Sequence, residues 1–139
     1  MIGVVGTCMS KEPFDEVWAE QALNDAFEKI VTLYPDVPIA VASGWTDSQV
    51  LAIAYRLARQ RGWKTIGIAC MKVYKYERFP VDEAIVDGSW LNWRDESPTF
   101  IAMCDAMVRV AGGSQSRDEA AEATRLGYFV LEYDYPVEG

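Results

Sequence analysis

Three short segments set glycine beside hydroxyl side chains directly after an apolar run. They are Gly6-Thr7, Ser43-Gly44 with Thr46, and Gly112-Gly113-Ser114 with Gln115 and Ser116. A glycine leaving a strand lets a ligand approach the backbone, because no Cβ stands in the way. The helix that follows offers unpaired N–H groups and the positive end of its dipole, and hydroxyls add further donors. The chemistry suited to such turns is the holding of an anion, a phosphate above all. None of the three fits G-x-x-x-x-G-K-[ST], and G-x-G-x-x-G does not occur, so a P-loop NTPase is not expected.

Other chemistries are excluded by composition. The chain has no histidine, which removes Ser-His-Asp and Cys-His mechanisms and every histidine-bearing zinc site. Cys8, Cys70 and Cys104 are widely spaced, form no CxxC and cannot supply a four-cysteine site, so reduced thiols in a cytoplasmic protein are expected. Cys8, just after the first glycine turn, is the one placed to approach a ligand. No metal site and no bound cofactor are expected. A formal net charge of −8 argues against a surface that tracks nucleic-acid phosphates. The first residues, MIGVVGTCMSKEP, lack a basic region and a long apolar run, so no signal peptide is expected. No stretch reaches 18 apolar residues, so no membrane span is expected either.

The elements that must position the turns follow from the hydrophobic pattern. Ile2–Gly6, Val37–Ala42, Lys64–Cys70, Val81–Val86, Asp105–Ala111 and Tyr128–Tyr133 are short apolar runs that read as strands. A helix opens near Ser10 with Pro13 in its first turn, and Phe14, Val17, Trp18, Ala22, Ala26, Phe27, Ile30 and Tyr34 keep helical spacing. Thr46-Asp47-Ser48-Gln49 has the form of a capping box before a second helix that Gly62 stops. Met71–Pro80 is irregular, Asp87–Glu96 is a tryptophan-rich loop, and Ser97–Cys104 is a short helix. A last helix runs from about Ser116 to Leu126, and the acidic tail from Asp134 to Gly139 is expected to fray. Strands alternating with helices predict one α/β domain over residues 1–139, Rossmann-like, with a mostly parallel sheet covered on both faces. In such sheets ligands bind beyond the carboxyl ends of the strands, which would bring the three glycine turns to one edge.

The segment VASGWTDSQVLAIAYRLARQRGWKTIGIA resembles the second strand, glycine turn and helix of the SLOG superfamily. That group includes the LOG-type (lysine decarboxylase-like) phosphoribohydrolases and the Rossmann domain of the DNA-processing protein A. DAMVRVAGGSQSRDEAAEA is similar to the LOG motif PGGxGTxxE, with Gly112 and Gly113 at the glycine pair, Ser116 at the threonine and Glu119 at the glutamate. Ala111 replaces the motif's proline, and Gln115 replaces its third glycine, bringing a side chain into the loop. LOG-type enzymes also carry an arginine before this strand; Arg94 is the nearest, offset by about two residues.

The resemblance implies a nucleotide or nucleotide-derived ligand at these turns and, as in LOG-like proteins, a homodimer. The altered motif favours a module that binds without chemistry, a sensor or sequestering protein. The alternative is a nucleoside 5′-monophosphate N-glycoside hydrolase. In it Glu119 would stabilise the positive charge that builds on the sugar as the bond to the base breaks, with Arg94 beside it. A third reading is an α/β domain that binds a partner and no ligand. Without any ligand, Ser116-x-x-Glu119 reads as a capping box. Trp45 would either stack on a base or cover the neighbouring helix, and Trp90 and Trp93 would line the site or a dimer surface.

Overall fold

The computed structural model describes residues 1–136. The chain alternates β1 (Ile2–Gly6), α1 (Glu16–Leu33), β2 (Ala40–Ser43), α2 (Gln49–Gln60), β3 (Lys64–Ile68), a 3-10 turn (Met71–Lys75), β4 (Glu83–Ile85), α3 (Ser97–Met103), β5 (Ala106–Val110), α4 (Ser114–Arg125) and β6 (Phe129–Tyr133). The strands form a six-stranded sheet in the order β4-β3-β2-β1-β5-β6. Every pairing between them is parallel, so the α/β Rossmann-like expectation holds and the sheet is parallel throughout.

Alternation along the strands sorts the core into two layers. Ile2, Val4, Val41, Ala106, Val108 and Val110 face α1 and α2 and meet Leu23, Phe27, Ile30, Ile53 and Leu57. Val5, Ala42, Ile66, Ile68 and Met107 face the other way, against Phe100 and Ile101 of α3 and Ala120 and Ala123 of α4. After β1 the chain builds outward through β2, β3 and β4; β5 then pairs with the other side of β1. The order therefore reverses between β1 and β5, and their carboxyl ends flank the crevice where ligands bind in this class of sheet.

Several boundaries differ from the sequence reading. The first helix starts at Glu16, not near Ser10, because Asp15 accepts from the Trp18 N–H and caps it. The second strand begins at Ala40, since Pro38 has no N–H to give a ladder. The strand from Lys64 ends at Ile68, before the 3-10 turn, and the fourth is only Glu83–Ile85. No capping box forms at Thr46–Gln49. Ser48 is the N-cap but its side chain makes no capping bond to the helix, and Gln49 is the first helical residue, at φ +45°. Its amide instead clamps the β1–α1 loop, accepting from the Ser10 N–H at 3.0 Å and donating to the Ser10 carbonyl at 3.1 Å. The last helix starts at Ser114, two residues before the expected start at Ser116, so Ser116-x-x-Glu119 is not a capping box either.

The start of the acidic tail is anchored. Arg109 of β5 is almost fully enclosed and donates from Nη1 and Nη2 to the Asp134 carboxylate at 2.9 and 3.0 Å, while Tyr135 stacks on Trp18. The rest of the expected fraying, at residues 137–139, lies outside the described residues. Among the described residues no helix is long and apolar enough to cross a membrane.

Candidate functional site

Two glycine turns abut at the sheet's reversal point. A Cβ on Gly6 would stand 2.2 Å from the Val110 carbonyl oxygen, and one on Gly112 would stand 2.7 Å from Ser116 Oγ and 3.0 Å from the Gly6 carbonyl carbon. Gly112 also sits at φ +97°, where a side chain is strained. This contact lets the chain leave β5 and turn directly into α4. The Ser116 hydroxyl donates to the Gly6 carbonyl at 3.3 Å and ties the two turns together. Arg109 Nη1 donates to the carbonyl of Ala111, which is held at φ +51°.

A cavity of about 330 Å³ opens beside this junction. Gly6, Ser43, Gly44, Gly113, Ser114, Gln115, Ser116 and Glu119 line it, together with Cys8, Trp93 and Glu96. A second cavity of about 590 Å³ adjoins it across Cys8 and Gly113 and holds Thr7, Gly112 and Arg117. The three turns thus converge, with Thr46 left out. Thr46 is buried and bridges to Arg78.

The turns are not equivalent. The start of α2 is occupied by the chain itself: the Val50 N–H donates to the Thr7 carbonyl at 3.0 Å, and the Met9 N–H donates to Ser48 Oγ at 2.9 Å. The Ser43 hydroxyl is turned inward, donating to the Val4 carbonyl at 2.6 Å, and the Tyr55 hydroxyl lies 2.7 Å from the Gly44 carbonyl oxygen. The start of α4 is open. Its N-cap is Gly113, which has no side chain to cover the helix end, and the first-turn N–H groups have no intrahelical acceptor. A Cβ on Gly113 would meet nothing within 4 Å, so space continues above the loop.

Two acidic groups line the same cavity close to this helix end. Glu119 accepts from the Ser97 hydroxyl at 3.0 Å, and burial pushes its carboxyl up to about 7, with Glu96 raising it further against the pull of Ser97 and Arg94. Glu96 is 7% exposed and accepts from Gln115 Nε2 at 3.3 Å; burial raises its pKa too. Cys8 is pushed up to about 11 by burial, so it is a thiol and not a nucleophilic thiolate near neutrality.

Arg94 does not line the cavity beside the junction. It sits at φ +84° and donates to Asp118 Oδ2 at 2.7 Å and to Ser114 Oγ at 2.8 Å, on the rim outside α4. It shares with Glu119 a smaller groove of about 120 Å³. The tryptophans separate as well. Trp93 lines the cavity, while Trp90 packs against the core beneath α3 and α4. Trp45 is engaged by protein: it lies against Gly67, donates from Nε1 to the Phe79 carbonyl at 2.8 Å and carries Arg78 over its ring.

Sequence reasoning missed Glu96. Placed just before Ser97-Pro98, it looks like an ordinary charge at a helix start, yet it gives α3 no side-chain cap. Only the packing of α3 beside α4 turns it into the cavity.

No family model and no curated protein matches this sequence. Solved structures do. The molybdenum cofactor carrier protein of Chlamydomonas reinhardtii is similar with a TM-score of 0.72 at 22% identity, over 97% of this chain and 77% of that one. The molybdenum cofactor binding protein of the phototrophic bacterium Rippkaea orientalis is similar with a TM-score of 0.72 at 23% identity, over 97% and 76%. At these identities the likeness establishes a shared Rossmann-like fold.

Proposed function

We propose that this protein binds and holds a phosphorylated small molecule of nucleotide or nucleotide-like build, as a carrier or sequestering module. The phosphate lies on the N-terminus of α4, against Gly113, Ser114, Gln115 and Ser116, and the rest of the ligand fills the cavity toward Gly6, Ser43 and Gly44. Thr7 and Gly112 border its second lobe. The observation that carries this reading is the open start of α4, facing a cavity at the point where strand order reverses. A volume of about 330 Å³ is within the range of small-molecule sites. The molybdenum cofactor carrier and binding proteins that share the fold extend the reading to a candidate cargo, the molybdenum cofactor. Cytoplasmic location and a homodimer, with the aromatic stretch from Met71 to Arg94 at the contact, complete it; light scattering that finds only monomer at micromolar concentration rejects the dimer.

Melting curves test the assignment. A nucleoside monophosphate should raise the melting temperature and the free nucleoside should not. Ligand at 100 times its dissociation constant adds about 2.7 kcal/mol. Equal shifts from nucleotide and nucleoside reject the phosphate site. Loading with molybdenum cofactor, read as bound molybdenum after gel filtration, tests the cargo.

The hydrolase reading is not favoured. It needs an ionised carboxylate with a guanidinium beside it. Here Glu119 is held partly protonated near neutrality, Arg94 is engaged on the rim, and the group facing Glu119 from the start of α3 is another carboxyl, Glu96. Incubation with nucleoside monophosphates should release no free base.

A further inference from the structure

The cavity beside the junction sets two carboxyls next to the proposed anion site with no cation between them. Besides the Cys8 thiol, Glu96 and Glu119 are the ionisable side chains in its wall; among the described residues no lysine or arginine lines it. Both carboxyls are more than nine-tenths buried. Glu96 is joined through Oε1 to Gln115 Nε2, in the first turn of α4, at 3.3 Å, and its Oε2 has no hydrogen-bond partner among the described residues. Glu119 accepts from Ser97 Oγ at 3.0 Å. Arg94, the cation that pulls on Glu119, is itself bonded to Asp118 and Ser114. The other ionisable groups around the pair do not relieve it. Asp95 before α3 and Asp118 on α4 add negative charge, while Cys70 after β3 and Cys104 before β5 are held as thiols by burial and by the pair itself. β1, β2 and α2 turn uncharged residues to the cavity. An ionised carboxyl here would share a poorly solvated space with a bound phosphate, and the two would repel strongly. A proton on the carboxyl removes that repulsion. By linkage, an anion that binds the protonated pair better draws protons onto it.

We propose that Glu96 and Glu119 form a proton-linked gate on this site: the anion is taken up together with a proton held by the pair, and ionisation of the pair as pH rises expels it. This rests on the phosphate assignment to α4 and adds how the site lets its ligand go, with no second effector required. Gln115 couples the two events, since it binds Glu96 through its side chain and belongs to the helix turn on which the phosphate lies. Burial raises both carboxyls, Glu119 up to about 7, so the exchange is centred near neutrality.

Calorimetric titration with adenosine 5′-monophosphate, on the parent and on the double variant Glu96→Gln with Glu119→Gln, tests the gate. The nucleotide's own titration is common to both proteins, so their difference belongs to the pair. Between about pH 6 and about pH 8 the parent should lose affinity by about fivefold more than the double variant, and at about pH 8 the double variant should be the tighter binder by the same factor. In two buffers of different ionisation enthalpy at about pH 7, the parent should take up more protons on binding than the double variant. Glu119→Gln alone leaves Glu96 and Gln115 as they are; it should show part of both effects and serves where the double variant does not fold. Identical pH profiles and identical proton uptake in parent and variants overturn the gate and leave the phosphate site standing. Absence of binding by parent and variants at every pH overturns both.

Discussion

At the scale of single residues, the two glycines of the β5–α4 turn differ in kind. Gly112 is required by packing: its φ is +97°, and a Cβ would press on Ser116 and Gly6. Gly112→Ala is expected to cost about 2–4 kcal/mol, combining left-handed backbone strain and overpacking. Gly113 is at φ −94° with open space around its missing Cβ, so Gly113→Val is expected to cost no more than about 1 kcal/mol, the difference between glycine and valine as an N-cap. The same valine would stand where phosphate approaches α4 and should abolish nucleotide-induced melting shifts. Urea unfolding and melting shifts on the two variants check both outcomes. Glu119 yields a pH effect whose sign is set by burial. Its folded pKa of about 7 lies above the ordinary 4.5, so the folded state holds this proton more tightly than the unfolded chain. Its contribution to stability is fully present below about 4.5 and is lost as pH rises through about 7, on the order of 3 kcal/mol in all. Glu96 is raised as well and acts in the same direction. The slope of stability against pH between about 5 and 8 should shrink in Glu119→Gln, and adding Glu96→Gln should change stability in the same direction.

At the scale of elements, β5 positions the anion site through Arg109. This residue is 3% exposed, and its side chain ties Glu132 of β6, Asp134 beyond it, and the Ala111 carbonyl at the start of the glycine turn. Arg109→Met removes all three. The two carboxylate partners are about half exposed and rehydrate, so the expected loss is about 1–3 kcal/mol, less than for a fully enclosed pair. Without its anchor, Ala111 should leave φ +51° and the start of α4 should loosen. Amide exchange at Ala111 and Arg117, whose N–H groups donate to the Tyr133 and Gly113 carbonyls, should therefore accelerate more than exchange in β1. Equal acceleration throughout the sheet would show that Arg109 supports the sheet in general and not the turn.

At the scale of the whole molecule, stability comes from two apolar layers around a parallel sheet. The free cysteines are widely separated: Cys8 is half-buried by the cavity, and Cys70 and Cys104 are buried. Unfolding is therefore expected to be insensitive to reductant and to chelator. Equal melting temperatures with and without EDTA, in reducing and non-reducing buffer, are the expected result. A drop with EDTA that added zinc or calcium reverses would reveal a structural ion.

The sequence by itself determined that this is one α/β layer structure with glycine turns along an edge, because strand and helix periodicities are local and Gly6, Gly44 and Gly112 mark where strands stop. It also excluded histidine chemistry outright. What local spacing could not determine was which turn stays open. Thr46-x-x-Gln49 and Ser116-x-x-Glu119 have the same form as helix starts, yet neither is a cap. Gln49 is drawn away by the Ser10 backbone, Ser116 by the Gly6 carbonyl and Glu119 by Ser97, all distant in sequence. The strand order set β5 beside β1 and packed α3 against α4. That placement closed the start of α2, left the start of α4 exposed to the cavity and turned Glu96 inward. These outcomes are competitions between long-range hydrogen-bond partners, and only the assembled tertiary structure decides them.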